Sequence, residues 1–131
     1  MFLFIELTIP AQTPETSPAT KPIQLTEGVI TYWWVGFPPG CAGLAHVAIY
    51  EFEHQILPRG EDQDIYWDGY IYSVPDHYEM VDEPYQIEVR GWNEDDSYPH
   101  TITVGVALEE IPEVTTESLL ERLLRALVGP S

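Results

Sequence analysis

Basic residues are what this 131-residue chain has least of: 5 Lys and Arg stand against 22 Asp and Glu, a formal net charge of −17. Phosphate backbones are held by clustered Lys and Arg, so this balance argues against direct binding of DNA or RNA. It argues equally against docking on an anionic membrane. Such a chain suits a basic partner or divalent cations, and solubility alone accounts for much of the acidity. Cysteine occurs once, at Cys41, which excludes an internal disulfide and any Cys-based zinc finger. Between Gly40 and Ala42, in a small-residue turn, it reads as a buried packing thiol rather than a nucleophile. Long hydrophobic runs are missing too: no stretch approaches the roughly 20 apolar residues that span a bilayer. The opening MFLFIELTIP has no basic residue ahead of its apolar run and no small-residue cleavage site, and Glu6 interrupts it. It reads as a strand rather than a signal segment. There is no glycine-rich phosphate loop and no G-x-S-x-G elbow. With 22 acids, carboxylate pairs are too common to indicate glycosidase chemistry. The residues therefore point to no enzyme and to no cofactor.

What is present is a core rich in aromatics. Apolar residues make up 44% of the chain, with 8 Tyr and 4 Trp, residue types that suit strands and interfaces. The length is that of one domain, and three parts are distinguishable. Residues 1–25 read as an extended N-terminal arm: a β-prone FLFIELTI, then prolines at 10, 14, 18 and 22 among Thr, Ser and Ala. That spacing excludes a helix or a central strand and favours polyproline-like backbone, which at about 3.1 Å per residue reaches roughly 40 Å. An apolar strand on such a spacer is expected to add to a neighbouring subunit's sheet. Deleting residues 1–25 is then expected to weaken assembly and leave the rest folded.

Residues 26–113 read as an antiparallel β-sandwich of jelly-roll type. The stretches 29–35, 44–53, 85–92 and 100–108 are β-branched or aromatic, and shorter candidates lie at 54–57, 64–67 and 70–74. Period-two alternation is clear in Ile87 and Val89 and in Ile102, Val104, Val106 and Leu108. Turn signals punctuate these runs about every ten residues, as in sandwiches and jelly rolls. Residues 114–131 read as a short C-terminal helix. Ser118 with Glu121 fits a capping box, Gly129-Pro130 is a stop signal, and Leu119, Leu120, Leu123, Leu124, Leu127 and Val128 form an apolar stripe. A helix of this length is marginal alone and needs a surface to pack on.

The polar clusters read as turns. GWNEDDSYPHT, residues 91–101, joins two alternating strands with turn-forming Asn93, Asp95, Asp96, Ser97 and Pro99. Its spacing is not that of an EF-hand loop, though close carboxylates leave a cation reading open. EDQDIYWDG, residues 61–69, carries Asp62, Asp64 and Asp68 and is read as a loop, a short strand and an Asp-Gly turn, with the same cation alternative. The histidines at 46, 54, 77 and 100 lack the pairing that sets two ligands on one face, so no metal site is assigned. Adjacent Trp33 and Trp34 must point to opposite faces of a strand. One is expected in the core, and the other, near Tyr32 or Phe37, at a subunit interface or against a sugar.

The segments GVITYWWVGFPPGCAGLAHVAIYEFEHQILPRG and YQIEVRGWNEDDSYPHTITVGVAL, residues 28–60 and 85–108, resemble small β-rich structural proteins of tailed-phage particles, head-decoration and other virion-surface proteins among them. The likeness is one of style and carries over no functional residue. It implies a homo-oligomer, with a trimer as the expected number, fixed to a protein lattice such as a capsid and located in the virion. The interface expected on this reading comprises Phe2, Phe4, Ile5, Leu7 and Ile9 of the arm, Trp33, Trp34 and Phe37, and Leu120, Leu123, Leu124 and Leu127 of the helix. The alternative is a carbohydrate- or receptor-binding β-domain, cytoplasmic or at a cell surface, using Trp33 or Trp34, Trp67 and Trp92.

Overall fold

A computed structural model describes residues 1–60, 62–110 and 116–128. It is mainly β: two antiparallel sheets packed as a sandwich, with one short C-terminal helix. The strands are β1 (Phe2–Ile9), β2 (Ala19–Gln24), β3 (Gly28–Phe37), β4 (Ala45–Glu51), β5 (His54–Leu57), β6 (Ile65–Tyr66), β7 (Tyr70–Met80), β8 (Gln86–Asn93) and β9 (His100–Glu110), followed by α1 (Thr116–Val128). One sheet has the order β1-β9-β3-β7 and the other β2-β8-β4-β5, with β6 alongside β4. The pairs β1–β9, β2–β8, β3–β7 and β4–β5 are nested. The chain is thus one long hairpin, folded at the β4–β5 turn, whose two arms wind together from sheet to sheet.

Alternation decides which side chains fill the space between the sheets. Leu7 and Ile9 of β1, Ile30, Trp33 and Val35 of β3, Val47 and Ile49 of β4, Ile87 and Val89 of β8, and Ile102, Val104 and Val106 of β9 are all buried in one core. Of the two adjacent tryptophans it is Trp33 that faces inward, fully buried, with its indole N–H donating to Asp76 Oδ2 at 2.8 Å. Trp34 faces outward and is half-covered.

Residues 1–25 are not a free arm. Both of their strands lie in the domain's own sheets, with β1 in register on β9 from Phe2 against Ala107 to Ile9 against His100. The prolines have a different role from a spacer's. Pro10, Pro14 and Pro18 lie in the segment that carries the chain from one sheet to the other, and Pro22 sits on β2, an edge strand, where a missing N–H is tolerated. Two features hold β1 in place. Gly91 on β8 has no side chain, and a Cβ there would come within 2.5 Å of Ile9 Cδ1 and 3.1 Å of Leu7 Cδ2, so its absence lets both side chains seat against the opposite sheet. Across the open edge of the sandwich, the Lys21 ammonium donates to the Glu6 carbonyl at 3.0 Å. It occupies an acceptor that an added strand would need, and it places a charge on the edge.

Other differences have local causes. The strand expected at 70–74 continues through Pro75 to Met80, because β7 is an edge strand and a bulge in β3 between Ile30 and Tyr32 absorbs the irregularity opposite Pro75. β2 was not anticipated, since its Lys-Pro composition is that of an edge and only Ile23 is buried. The helix begins at Thr116, two residues before the expected cap, and the Gly129-Pro130 stop lies outside the described residues. Replacing Ile9 with Ala is expected to cost about 2–5 kcal/mol, the range for emptying a fully buried aliphatic site. Urea unfolding measures it; a loss below about 1 kcal/mol would mean that β1 is not part of the core.

Candidate interaction face

The outward residues of the four-stranded sheet form rows across it. Phe2, Ala107, Tyr32 and Pro75 make one row; Phe4, Gly105, Trp34 and Ser73 the next; Glu6, Thr103, Gly36 and Ile71 a third. At the sheet centre Gly105 has no side chain. A Cβ there would collide with the Phe4 ring, which therefore lies directly over the backbone and shields a glycine that would otherwise weaken the strand. Phe2, Phe4 and Tyr32 all pack on Trp34, with ring centroids 5.9, 5.7 and 4.8 Å away. The cluster is not covered: Phe2 is 68% and Phe4 60% exposed, and Ile71, on β7 at the opposite edge of the sheet, 62%. Between the aromatics and Ile71 runs a mainly apolar groove of about 370 Å³, floored by Gly36, Thr101 and Thr103 and bordered by Phe37 and Pro38. Glu6, His77, Glu79, Glu109 and Glu110 are exposed on the same four strands.

The outer side of the other sheet is dressed by the chain itself. Gln55 donates to the carbonyls of Pro58, Gly60 and Gln63 at 2.6–2.9 Å, drawing residues 58–60 and 62–64 across the sheet. His46 stacks on Trp92 at 5.4 Å, with planes 2° apart, and its Nδ1 lies 2.6 Å from Asp64. Arg90 lies over the Tyr50 ring at 3.9 Å and pairs with Glu88 at 2.5 Å and Glu53 at 3.3 Å. Beside this loop Trp67, Tyr70 and Tyr72 meet edge to face with centroids 5.1–6.5 Å apart, and the first two are exposed. A shallow groove of about 390 Å³ next to them is lined by Asp62, Gln63, Asp64, Tyr66 and Tyr72.

The acidic loops are hydrogen-bonded turns. Asn93 is buried, and its amide donates to the carbonyls of Ile9, Pro10 and Tyr98 at 2.9–3.3 Å. Its Oδ1 accepts from Asp95 N at 2.9 Å. The Asp95 carboxylate accepts from the N–H groups of Ser97 and Tyr98 and lies 2.9 Å from His100 Nε2. Those backbone N–H groups, with His100, hold the Asp95 carboxyl below its ordinary value. In the other cluster Asp64 is taken by His46, while Asp68 accepts from Gly40 N at 2.7 Å and closes the Asp-Gly turn against the 38–40 loop. Among the described residues no three His, Cys, Asp or Glu side chains come together as metal ligands would. Cys41 is buried, and burial together with the nearby Asp68 carboxylate pushes its thiol up, away from the reactive thiolate. Asp76 is a further polar site that the sequence did not indicate. Burial alone would raise its carboxyl, but bonds from Arg59, Trp33 and the His77 N–H outweigh that and hold it low. Tyr78 is pushed up by burial and by donating to Glu51.

The expected interface residues thus divide in two. Phe2, Phe4 and Trp34 lie on the outward face, and Leu120, Leu123, Leu124 and Leu127 are exposed on α1. Leu7, Ile9, Trp33 and Phe37 are buried in the domain's own core, with Ile5 packed against it. Tyr32 and Ile71 were not among the expected residues. Ile71 joins the face only because β7 pairs with β3, a long-range pairing that leaves no local signal. Of the tryptophans considered for a sugar, Trp33 and Trp92 are buried. No protein-family model matches the chain, and comparison with curated proteins gives no match either.

Asp95 generates a pH dependence with a definite sign. Its folded pKa lies below the unfolded value of about 3.9, so its contribution is complete above that pH and is lost as pH falls through the folded value. Asp95→Asn is therefore expected to be less stable than the native chain at pH 7, with the gap narrowing below about pH 4. Urea midpoints measured from neutral to acid pH test this, and a gap that stays constant would refute it.

Proposed function

We propose that this protein is a non-enzymatic structural subunit that assembles with copies of itself through the outer face of its four-stranded sheet. The observation that carries the reading is the contiguous group of Phe2, Phe4, Tyr32 and Trp34, with Ile71 across the groove. Large aromatics left exposed together on an otherwise acidic surface are unfavourable in water and mark a surface that is covered in use. Polar and charged groups around them, such as Glu6 and Glu79, supply the wet margin typical of an association surface.

The sandwich is read as a jelly roll, which the four nested strand pairs support. Jelly rolls occur in viral capsid and lectin domains alike, so fold by itself does not choose between assembly and ligand binding. The proposed setting is the virion, as a capsid-decorating or stabilising subunit on a protein lattice, with a trimer as the proposed number. That setting rests on the resemblance of residues 28–60 and 85–108. Association here runs through a sheet face rather than a detached arm, because β1 is held in its own domain.

Changing both Phe2 and Ile71 to Glu tests the reading, since each is largely solvent-exposed and its replacement spares the core. Light scattering behind size-exclusion chromatography is expected to show a native oligomer and a monomeric double variant with unchanged far-UV circular dichroism. A native chain that is monomeric at all concentrations, or a double variant of unchanged mass, would refute it.

A second reading, a carbohydrate-binding module, is favoured by one observation: exposed Trp67 and Tyr70 beside the groove of Asp62, Gln63 and Asp64. Aromatic faces with adjacent amide and carboxylate acceptors suit a sugar ring and its hydroxyls. This reading expects glycan-array binding that disappears in Trp67→Ala, and no native signal would dismiss it.

A further inference from the structure

The molecule leaves a second apolar surface uncovered. On α1, Leu120, Leu123, Leu124 and Leu127 are 54–82% exposed, so the sandwich of the same chain does not cover them. Their spacing of i, i+3, i+4 and i+7 places all four on one side of a helix. It is also the anchor pattern with which amphipathic helices enter apolar grooves. The groove between Phe4 and Trp34 on one side and Ile71 and Pro38 on the other is the apolar trough of the bare sheet face.

We infer that the leucine face of α1 from a second copy of this chain occupies that groove. The inference rests on the self-association reading and names its contact. Charge selects the helix over a second sheet as the occupant. Glu117 and Glu121 balance Arg122 and Arg125, so α1 is neutral, whereas the sandwich holds nearly all the acids and only Lys21, Arg59 and Arg90 among Lys and Arg. Face-to-face packing of two sheets would oppose two faces that each carry Glu6, Glu79 and Glu109 and whose four strands hold no Lys or Arg, and like charges brought together at an interface are costly. A neutral helix brings apolar area without that repulsion. Head-to-tail exchange, in which every copy donates its helix to one neighbour and receives one from the other, covers both surfaces of every chain and closes a ring such as the proposed trimer.

Two experiments on the full chain test the contact. Leu123→Glu with Leu124→Glu, at exposed positions, is expected to lower the mass seen by light scattering to that of a monomer, with the β-sheet spectrum retained. Separately, chains carrying only Ile71→Cys are mixed with tagged chains carrying only Leu124→Cys and oxidised. A mixed disulfide dimer is expected, and the buried native Cys41 stays out of the reaction. If the helix variant stays oligomeric while the Phe2 and Ile71 variant does not, the sheet face associates but α1 is not its occupant, and the inference fails alone. If the single-cysteine chains do not cross-link, while a chain carrying both cysteines closes an internal disulfide, α1 folds onto its own sheet and the inference also fails. A native chain that is monomeric throughout overturns this contact and the self-association reading together.

Discussion

The buried side chain of Asn93 is the interaction on which the arrangement of the sandwich depends. Its amide reaches the carbonyls of Ile9 and Pro10 at the end of β1 and that of Tyr98 before β9, while its backbone N–H donates to Thr13 at 2.9 Å. One residue at the end of β8 thus fixes the point where the chain leaves one sheet for the other. The neighbouring backbone joins in, with Gln12 N donating to the Asp95 carbonyl and Glu94 N to Leu44, both at 2.8 Å. Removing the amide would strand several carbonyls in a site with little access to water, where each unsatisfied group costs about 1–3 kcal/mol. This anchor, with Gly91 opening room for Ile9 and Leu7, turns a proline-rich leader into the first two strands of a domain.

The two outer faces have opposite characters because the connections are unevenly distributed. The five-stranded sheet is overlain by residues 58–60 and 62–64, held through Gln55, and its outward aromatics are used internally, His46 on Trp92 and Arg90 on Tyr50. Among the described residues the four-stranded sheet has no such cover, and its aromatics cluster on one another and over Gly105. A dressed face and a bare one on the same sandwich give the molecule a direction. The association reading follows from that asymmetry more than from the quantity of exposed hydrophobic surface, which every protein has.

Much of the fold was legible along the chain. Period-two alternation located β8 and β9, the aromatic run located β3, and the leucine spacing located α1. GWNEDDSYPHT was readable as a turn because Asn, Asp and Ser bond to backbone groups a few residues away. Proline misled twice: in the leader Pro10, Pro14 and Pro18 fall between two strands, and Pro22 and Pro75 sit on edge strands, which accept a residue that a central strand rejects. The candidate face was half legible. Phe2, Phe4 and Trp34 stood out as aromatics on strands, but alternation only divides a strand into two sides and does not say which side is inside.

Local chemistry along the chain establishes the class of the protein: strand-forming runs, turn chemistry, one amphipathic helix, and a charge that repels phosphate. These are set by neighbours a few residues apart, through backbone sterics and side-chain periodicity. Long-range folding puts β1 in its own domain's sheet, Trp33 rather than Trp34 in the core, and Ile71 across a groove from Phe4. Those outcomes depend on pairings between distant segments, β1 with β9 and β3 with β7. They are settled by how much apolar surface each pairing buries at once, a quantity that no local stretch of chain contains.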